Sequence, residues 1–445
     1  MEIACLVDGE HYIPNIKDTL DKLSKEHTIK VAIFIGGAEK IGSKEEVKEK
    51  LGYHVEFAEE KARPAPEKIG EIAKKHNVKV VFDYSDEPIV NYDVRMQIAC
   101  ELLGKGITYR GADFEFTPME FKEILTKPSI AIWGTGKRVG KTAIGGYIVR
   151  TLKEAGYKPG VVTLSRGGPN TPEVLCGDLI DITPEYLLEM QEKGFHAASD
   201  NFEDALTGKT ITFGCKRCGG GFAGKPSETI VEMGAIMANE HPEVDTIILE
   251  GSGATFPEIK TNKVVLLVGA GQPLHHITGF FGPYRIKFAD LVIVAFCEEP
   301  IASKEKINNI VKGIKKINPN TKIATTIFRP KPLKDITGKK VLFATTAPNM
   351  VLNKLIKYLE ENYNCKVVGS TPYLSDRSKL KMDINNYIKE AEVVLTELKA
   401  ASVAVVTKEA IKKGLEVVFC DNEPILIRGN VDVKDLKRAI VELRH

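Results

Sequence analysis

Residues Gly134-Thr-Gly-Lys-Arg-Val-Gly-Lys-Thr142 combine glycines, which leave backbone N–H groups open, with a closing Lys-Thr pair. The apolar run Ser129–Trp133 precedes them and Ala143–Arg150 follows, which is the order of strand, glycine loop and helix that holds a nucleoside triphosphate. Loop N–H groups and the helix N-terminus cradle phosphate oxygens. Lys141 sets its ammonium between the outer phosphates, and the Thr142 hydroxyl is suited to ligate a bridging magnesium ion. Gly134, Thr135, Gly136, Val139, Gly140, Lys141 and Thr142 are the expected nucleoside triphosphate cradle, with Lys137 and Arg138 as extra cations.

More anion-seeking groups follow. Gly160–Ser165 reads as the next strand, so Arg166 should emerge at its carboxyl end, where its fork of donors suits a transferring phosphoryl group or a substrate phosphate. Asp245–Glu250 reads as a strand that delivers Glu250 beside a glycine turn. A buried carboxylate there needs a cation or hydrogen bonds, so Glu250 is expected to join Thr142 in holding Mg2+. The stretch Phe213–Lys225 has several readings. Cys215 and Cys218 make half of a zinc site, completed in a dimer, or a redox dithiol; alternatively Lys216, Arg217 and Lys225 bracket glycine N–H groups in a mobile loop that closes on a polyphosphate. His275 and His276 are adjacent in a loop after the strand Val264–Gly269 and are candidate donors to a substrate phosphate, with no third ligand at a zinc-like spacing.

The elements that must position these groups alternate strand and helix throughout, which predicts an α/β fold with parallel sheets. A length of 445 residues suggests three domains, at 1–125, 126–335 and 336–445. In the first, Asp8–His11, Gly36-Gly37 and Asp83–Asp86 end apolar strands, either as a ligand site or as caps and turns. In the third, Val341–Thr345, Cys365–Val368, Ala391–Leu395, Val403–Val406 and Val417–Cys420 read as short buried strands. Arg377 and Lys399 stand at element ends there, as surface groups or within reach of an anionic ligand. With 62 basic and 60 acidic side chains, net charge gives no global reason to expect nucleic acid. No apolar run approaches the roughly 20 residues of a membrane span. The N-terminus lacks the pattern of a signal peptide, and eight irregularly spaced cysteines point to a reducing cytoplasm. Dimerisation is expected because closed twofold assemblies are common.

Thr135, rather than a glycine, lies six positions before Lys141, a spelling that resembles the loop of dethiobiotin synthetase and its relatives, which use ATP to activate an oxyanion on a small molecule. A longer ordered set consists of Asp8–His11, Trp133–Thr142, Ser165-Arg-Gly-Gly168, residues 214–224 and Thr396-Glu-Leu-Lys-Ala400. Taken together it resembles, end to end, the cyclic 2,3-diphosphoglycerate synthetases, cytosolic enzymes of methanogenic archaea. The resemblance implies a central P-loop nucleoside triphosphate hydrolase-like parallel sheet flanked by N- and C-terminal α/β regions. It also implies ATP-dependent closure of 2,3-bisphosphoglycerate into a cyclic phosphoanhydride, with ATP and Mg2+ as cofactors and a monovalent cation as a further candidate. A substrate of two phosphates and a carboxylate requires converging cations beside ATP. Lys141, Arg166, Lys137 and Arg138 are the expected catalytic groups, and Arg166, Lys216, Arg217, Lys225, His275 and His276 the expected substrate contacts. Two alternatives are a P-loop enzyme acting on another small carboxylate or phosphate, and a nucleotide-controlled switch that binds metal through Cys215 and Cys218.

Overall fold

The computed structural model describes residues 1–41, 43–427 and 432–445. The chain divides into two compact units, Met1–Glu120 with Pro273–Phe288, and Phe121–Gln272 with Ala289–His445.

The first unit holds a six-stranded sheet in the order Val55–Phe57, Thr28–Phe34, Glu2–Val7, Val80–Asp83, Thr108–Arg110 and Glu115–Phe116. All pairings are parallel except the last. Glu2–Val7 is buried along nearly its whole length, as expected of a central parallel strand covered on both faces. At the strand ends the carboxylates serve the turns. Asp8 accepts from the Glu10 N–H at 3.1 Å and the Asp86 N–H at 2.7 Å, and its Oδ1 lies 2.8 Å from His11 Nδ1. Asp83 accepts from the Ser85 N–H at 2.9 Å and from Arg95 at 3.1 Å. A side chain at Gly9 would meet the Gly37 carbonyl at 2.4 Å, so the two glycine loops can touch only without a Cβ. In the same unit, the short helix Leu274–Thr278 carries His275 and His276, both exposed.

The second unit is built on a 13-stranded sheet. Its first half runs parallel from Ile211–Cys218 through Pro159–Ser165, Thr246–Glu250, Ser129–Gly134, Lys263–Gly269 and Leu291–Ala295 to Lys322–Pro332. Alternate residues of each strand serve opposite faces. Val161 and Ile248 pack with the helix Lys141–Glu154, whereas Val162, Ile247 and Leu249 pack with the helix Val231–Glu240.

One antiparallel seam, Lys322–Pro332 against Glu416–Leu426, joins this half to a second parallel set made of Val393–Glu397, Lys340–Ala344 and Lys366–Thr371. Both seam strands are 11 residues long and are staggered. Leu291–Ala295 pairs with Lys322–Thr325, at the start of one seam strand, whereas Val393–Glu397 pairs with Glu416–Cys420, beyond the end of its partner. The two halves therefore point the carboxyl ends of their strands toward each other.

Val403–Val406 is not a strand. Ser402–Thr407 forms a π-helical turn that runs into the helix Lys408–Lys412, with Val403, Val406 and Ala410 buried at helical spacing. A short apolar run does not distinguish the two conformations, because either one buries it. The glycine-cysteine stretch is strand only in its first part: Ile211–Cys218 is paired through both cysteines, whereas residues 219–227 lie outside any strand. Among the described residues, no helix is long and apolar enough to cross a membrane.

Candidate active site

The glycine loop leaves the buried strand Ser129–Gly134 and enters the helix Lys141–Glu154. Arg138 and Gly140 have φ values of 61° and 91°, the left-handed conformations that wrap the loop. Lys141 is 8% exposed and donates to the Gly136 carbonyl at 3.0 Å and the Gly253 carbonyl at 2.9 Å. Its ammonium therefore lies between the loop and a second turn. Burial lowers its pKa to about 8, with Asp200 and Glu250 opposing the shift and Arg166 and Arg217 adding to it. Gln272 braces the loop: its Oε1 accepts from the Thr135 hydroxyl at 2.6 Å and from the Gly269 N–H at 3.1 Å. Neither glycine spacing nor charge marks Gln272 in the sequence.

Cations gather at the Ser252–Gly253 turn. Arg217 donates to the Ser252 carbonyl at 3.0 Å and its hydroxyl at 3.2 Å. Arg166 Nη2 would lie 2.8 Å from a Cβ at Gly253, whose own carbonyl takes the Lys141 ammonium. Among the described residues no carboxylate pairs with Arg166, which is exposed between two cavities. One, of about 560 Å³, is bordered by Arg166, Lys216, Arg217 and Lys225 together with Lys122. The other, of about 460 Å³, is bordered by Arg166, His196, Asp200 and Ser252, and by Arg377 and Ala400 from the second half of the sheet. Four of the expected anion contacts thus meet at one cavity, although Lys225 is shared with Glu258 at 3.3 Å.

Acidic groups pack behind the lysine. Glu250 ends the strand Thr246–Glu250 at 1% exposure, and its Oε1 lies so close to the helix that a Cβ at Gly145 would be 1.6 Å away. Burial raises its pKa to about 8, with Asp200 adding to the shift and Lys141 opposing it. Among the described residues Oε1 has no hydrogen-bond partner, and neither do the two carboxylate oxygens of buried Asp204. Burial and the neighbouring Glu250, Asp200 and Glu203 push Asp204 well above the ordinary carboxylate range. Lys399 reaches across from the second half of the sheet to pair with Glu203. Burial works against its charge, yet Glu203 and Glu397 carry its pKa above the usual lysine value. The unpartnered oxygen of Glu250 and the hydroxyl of Thr142, in the first turn of the helix, are hard-oxygen donors of the type that Mg2+ takes.

Lys137 and Arg138 are exposed within the loop. His275 and His276 belong to the first unit, where His275 Nε2 lies 3.4 Å from Asp93 Oδ1 and both rings approach Phe280. Cys215 is buried, with its Sγ 2.3 Å from where a Cβ at Gly234 would lie, whereas Cys218 is exposed. Three residues apart on one strand, the two thiols face opposite ways.

Similarity to known proteins runs well beyond this site. Models described as the N-terminal, P-loop and C-terminal domains of cyclic 2,3-diphosphoglycerate synthetase match residues 2–117, 129–327 and 332–423 in turn. A protein of that name from Methanothermobacter thermautotrophicus is 52% identical over 443 residues, 99% of this chain and 95% of its own. One from Methanothermus fervidus is 50% identical over 438 residues, 97% of this chain and 95% of its own. Among solved structures, LpxK from Aquifex aeolicus in complex with ATP aligns with 73% of this chain and 91% of its own, at 14% identity and a TM-score of 0.41. With family models matched in series along most of its length and relatives about half identical throughout, the chain belongs to the cyclic 2,3-diphosphoglycerate synthetase family.

Proposed function

We propose that this enzyme uses ATP to join the two phosphates of 2,3-bisphosphoglycerate in a cyclic phosphoanhydride, releasing ADP and phosphate. The observation that carries the reading is the convergence of Lys141, Arg166 and Arg217 on the Ser252–Gly253 turn, with a cavity on either side of Arg166. Phosphate oxygens are already ionised near neutral pH, so the protein has no obligatory proton to remove; its task is to hold mutually repelling anions in line.

In the proposed order, an oxygen of one substrate phosphate attacks the γ-phosphorus of ATP. The bond to the β-phosphate oxygen breaks, and ADP leaves. An oxygen of the second substrate phosphate then attacks the substrate phosphorus of that mixed pyrophosphate, expelling inorganic phosphate and closing the ring. Lys141 neutralises charge on the outer phosphates of ATP, and Arg166 bridges the donor and acceptor phosphates. Lys216, Arg217 and Lys225 hold the substrate. Thr142 and Glu250 would hold Mg2+, which when bound offsets charge across the nucleotide phosphates. Lys137 and Arg138 supply positive potential at the loop's mouth.

A cytoplasmic homodimer with functional segments at 1–125, 126–335 and 336–445 completes the proposal, with the first segment free to bind substrate or regulate turnover. The test is ³¹P NMR of the protein with ATP, Mg2+ and 2,3-bisphosphoglycerate, read beside ADP release. A cyclic phosphoanhydride with one ADP per product is expected. ADP release driven instead by another small acid, without that product, would replace this reading.

A further inference from the structure

In the first unit, two imidazoles and a carboxylate that none of the chemistry above uses converge. His54 and Glu56 are two residues apart at the strand Val55–Phe57, which puts both side chains on one face. His76 caps the carboxyl end of the helix Pro66–Lys75 and comes to the same place. His54 Nε2 lies 3.2 Å from Glu56 Oε1, and His76 Nε2 contacts that same oxygen. The ring centroids of the two histidines are 5.2 Å apart, and the three donor atoms all lie within 4.8 Å of one another.

From these residues we infer a transition-metal site, with His54, Glu56 and His76 as ligands of a zinc-like divalent ion. Two imidazole nitrogens directed at one carboxylate oxygen repel it unless each carries a proton or all three share a cation. A zinc ion with ligands at roughly 2.0–2.2 Å separates tetrahedral donors by about 3.3 Å, close to the His54–Glu56 spacing. Two histidines and a glutamate are an established zinc donor set with a fourth position for water. The His54 side chain is 58% exposed, so that position opens to solvent. Lys75 Nζ sits 2.9 and 3.0 Å from the two Glu56 oxygens and occupies the charge role that the metal takes over. Bound metal links the edge strand to the end of the helix.

The experiment is isothermal titration of zinc chloride into the full chain carrying Cys218→Ser, with Mg2+ and ADP saturating so that the thiol and the nucleotide site do not compete. One equivalent should bind and raise the melting temperature. His54→Ala and His76→Ala should each weaken that equivalent by about tenfold or more, and Lys75→Ala should leave it intact or tighten it. Equal zinc uptake by the parent and the His54→Ala/His76→Ala double variant would overturn the site, as would the absence of uptake by the parent. If the double variant melts early without zinc, the exposed His54→Ala change alone decides by the same stoichiometry.

Discussion

Replacing Gly145 with alanine tests where the Glu250 carboxylate sits. A Cβ there would lie 1.6 Å from Oε1 and 2.8 Å from the carboxyl carbon, whereas real Cβ contacts essentially never fall below 3.0 Å. Carboxylate or helix must therefore move by about 1.4 Å, the difference between those limits. In an unobstructed helix interior the same change stabilises by about 1 kcal/mol. Forced overpacking costs about 1–3 kcal/mol, so the expected net loss is about 0–2 kcal/mol. With Glu250→Ala already in place the obstruction is gone and only the gain remains, which gives a coupling of about 1–3 kcal/mol between the two positions. Trp133, the single tryptophan, lies in the strand that feeds the loop, so its fluorescence in urea reports unfolding of this unit. The midpoint should fall or hold on Gly145→Ala in the parent and rise in the Glu250→Ala background. Displacing Glu250 by more than 1 Å should also cut turnover by about 100-fold. The same positive shift in both backgrounds would refute the packing argument.

Lys141→Met should abolish detectable cyclisation while the fold persists; turnover within about tenfold of the parent would rule out the phosphate role. The pH dependence has a definite sign. Because the folded-state pKa is lowered from 10.5 to about 8, the folded chain releases its proton first, so Lys141 makes stability rise between about pH 8 and 10.5 and that increment is lost as pH falls through 8. Comparing parent and Lys141→Met urea midpoints across that window checks it, and identical pH slopes would contradict it. Arg166→Ala should lower kcat/KM for the bisphosphoglycerate by about 100-fold, with Arg166→Lys recovering only part because the two-pronged donor is lost; full recovery by lysine would show that charge alone suffices. Lys399→Met should cost about 1–2 kcal/mol at pH 8, a value discounted for its 37% side-chain exposure. The cost should shrink below pH 7, where Glu203 takes up a proton, because burial has raised its pKa to about 7. Equal losses at pH 5 and pH 8 would show that the pair carries no charge coupling.

The phosphate loop was legible because its chemistry is local. The strand, glycines, lysine and helix are contiguous, and the left-handed turn at Gly140 and the entry of Lys141 into the helix follow from that short run. Arg166 and Glu250 were legible for a related reason: each ends an apolar run, and a parallel strand delivers its last residue to the ligand edge. Asp200, Glu203 and Asp204 carried no such signal. In sequence they read as an acidic helix start, and only the packing of that helix beside Lys141 and Glu250 buries Asp204 and half-buries Asp200 and Glu203. The cysteine spacing invited a metal or redox reading that strand pairing set aside, since alternation sends Cys215 inward and leaves Cys218 exposed.

By itself, then, the sequence determined the alternating α/β pattern, the phosphate loop and the strand-end residues, all of which depend on neighbours a few positions apart. Only the tertiary structure decided that Arg377, Lys399 and Ala400 belong beside Arg166 and Glu203. That placement depends on the antiparallel seam between Lys322–Pro332 and Glu416–Leu426, whose register and stagger turn the strand ends of the second half back toward the first. The two seam strands are separated by more than 80 residues of chain. Neither strand alone specifies their pairing, because it arises from the combined burial of both halves of the sheet.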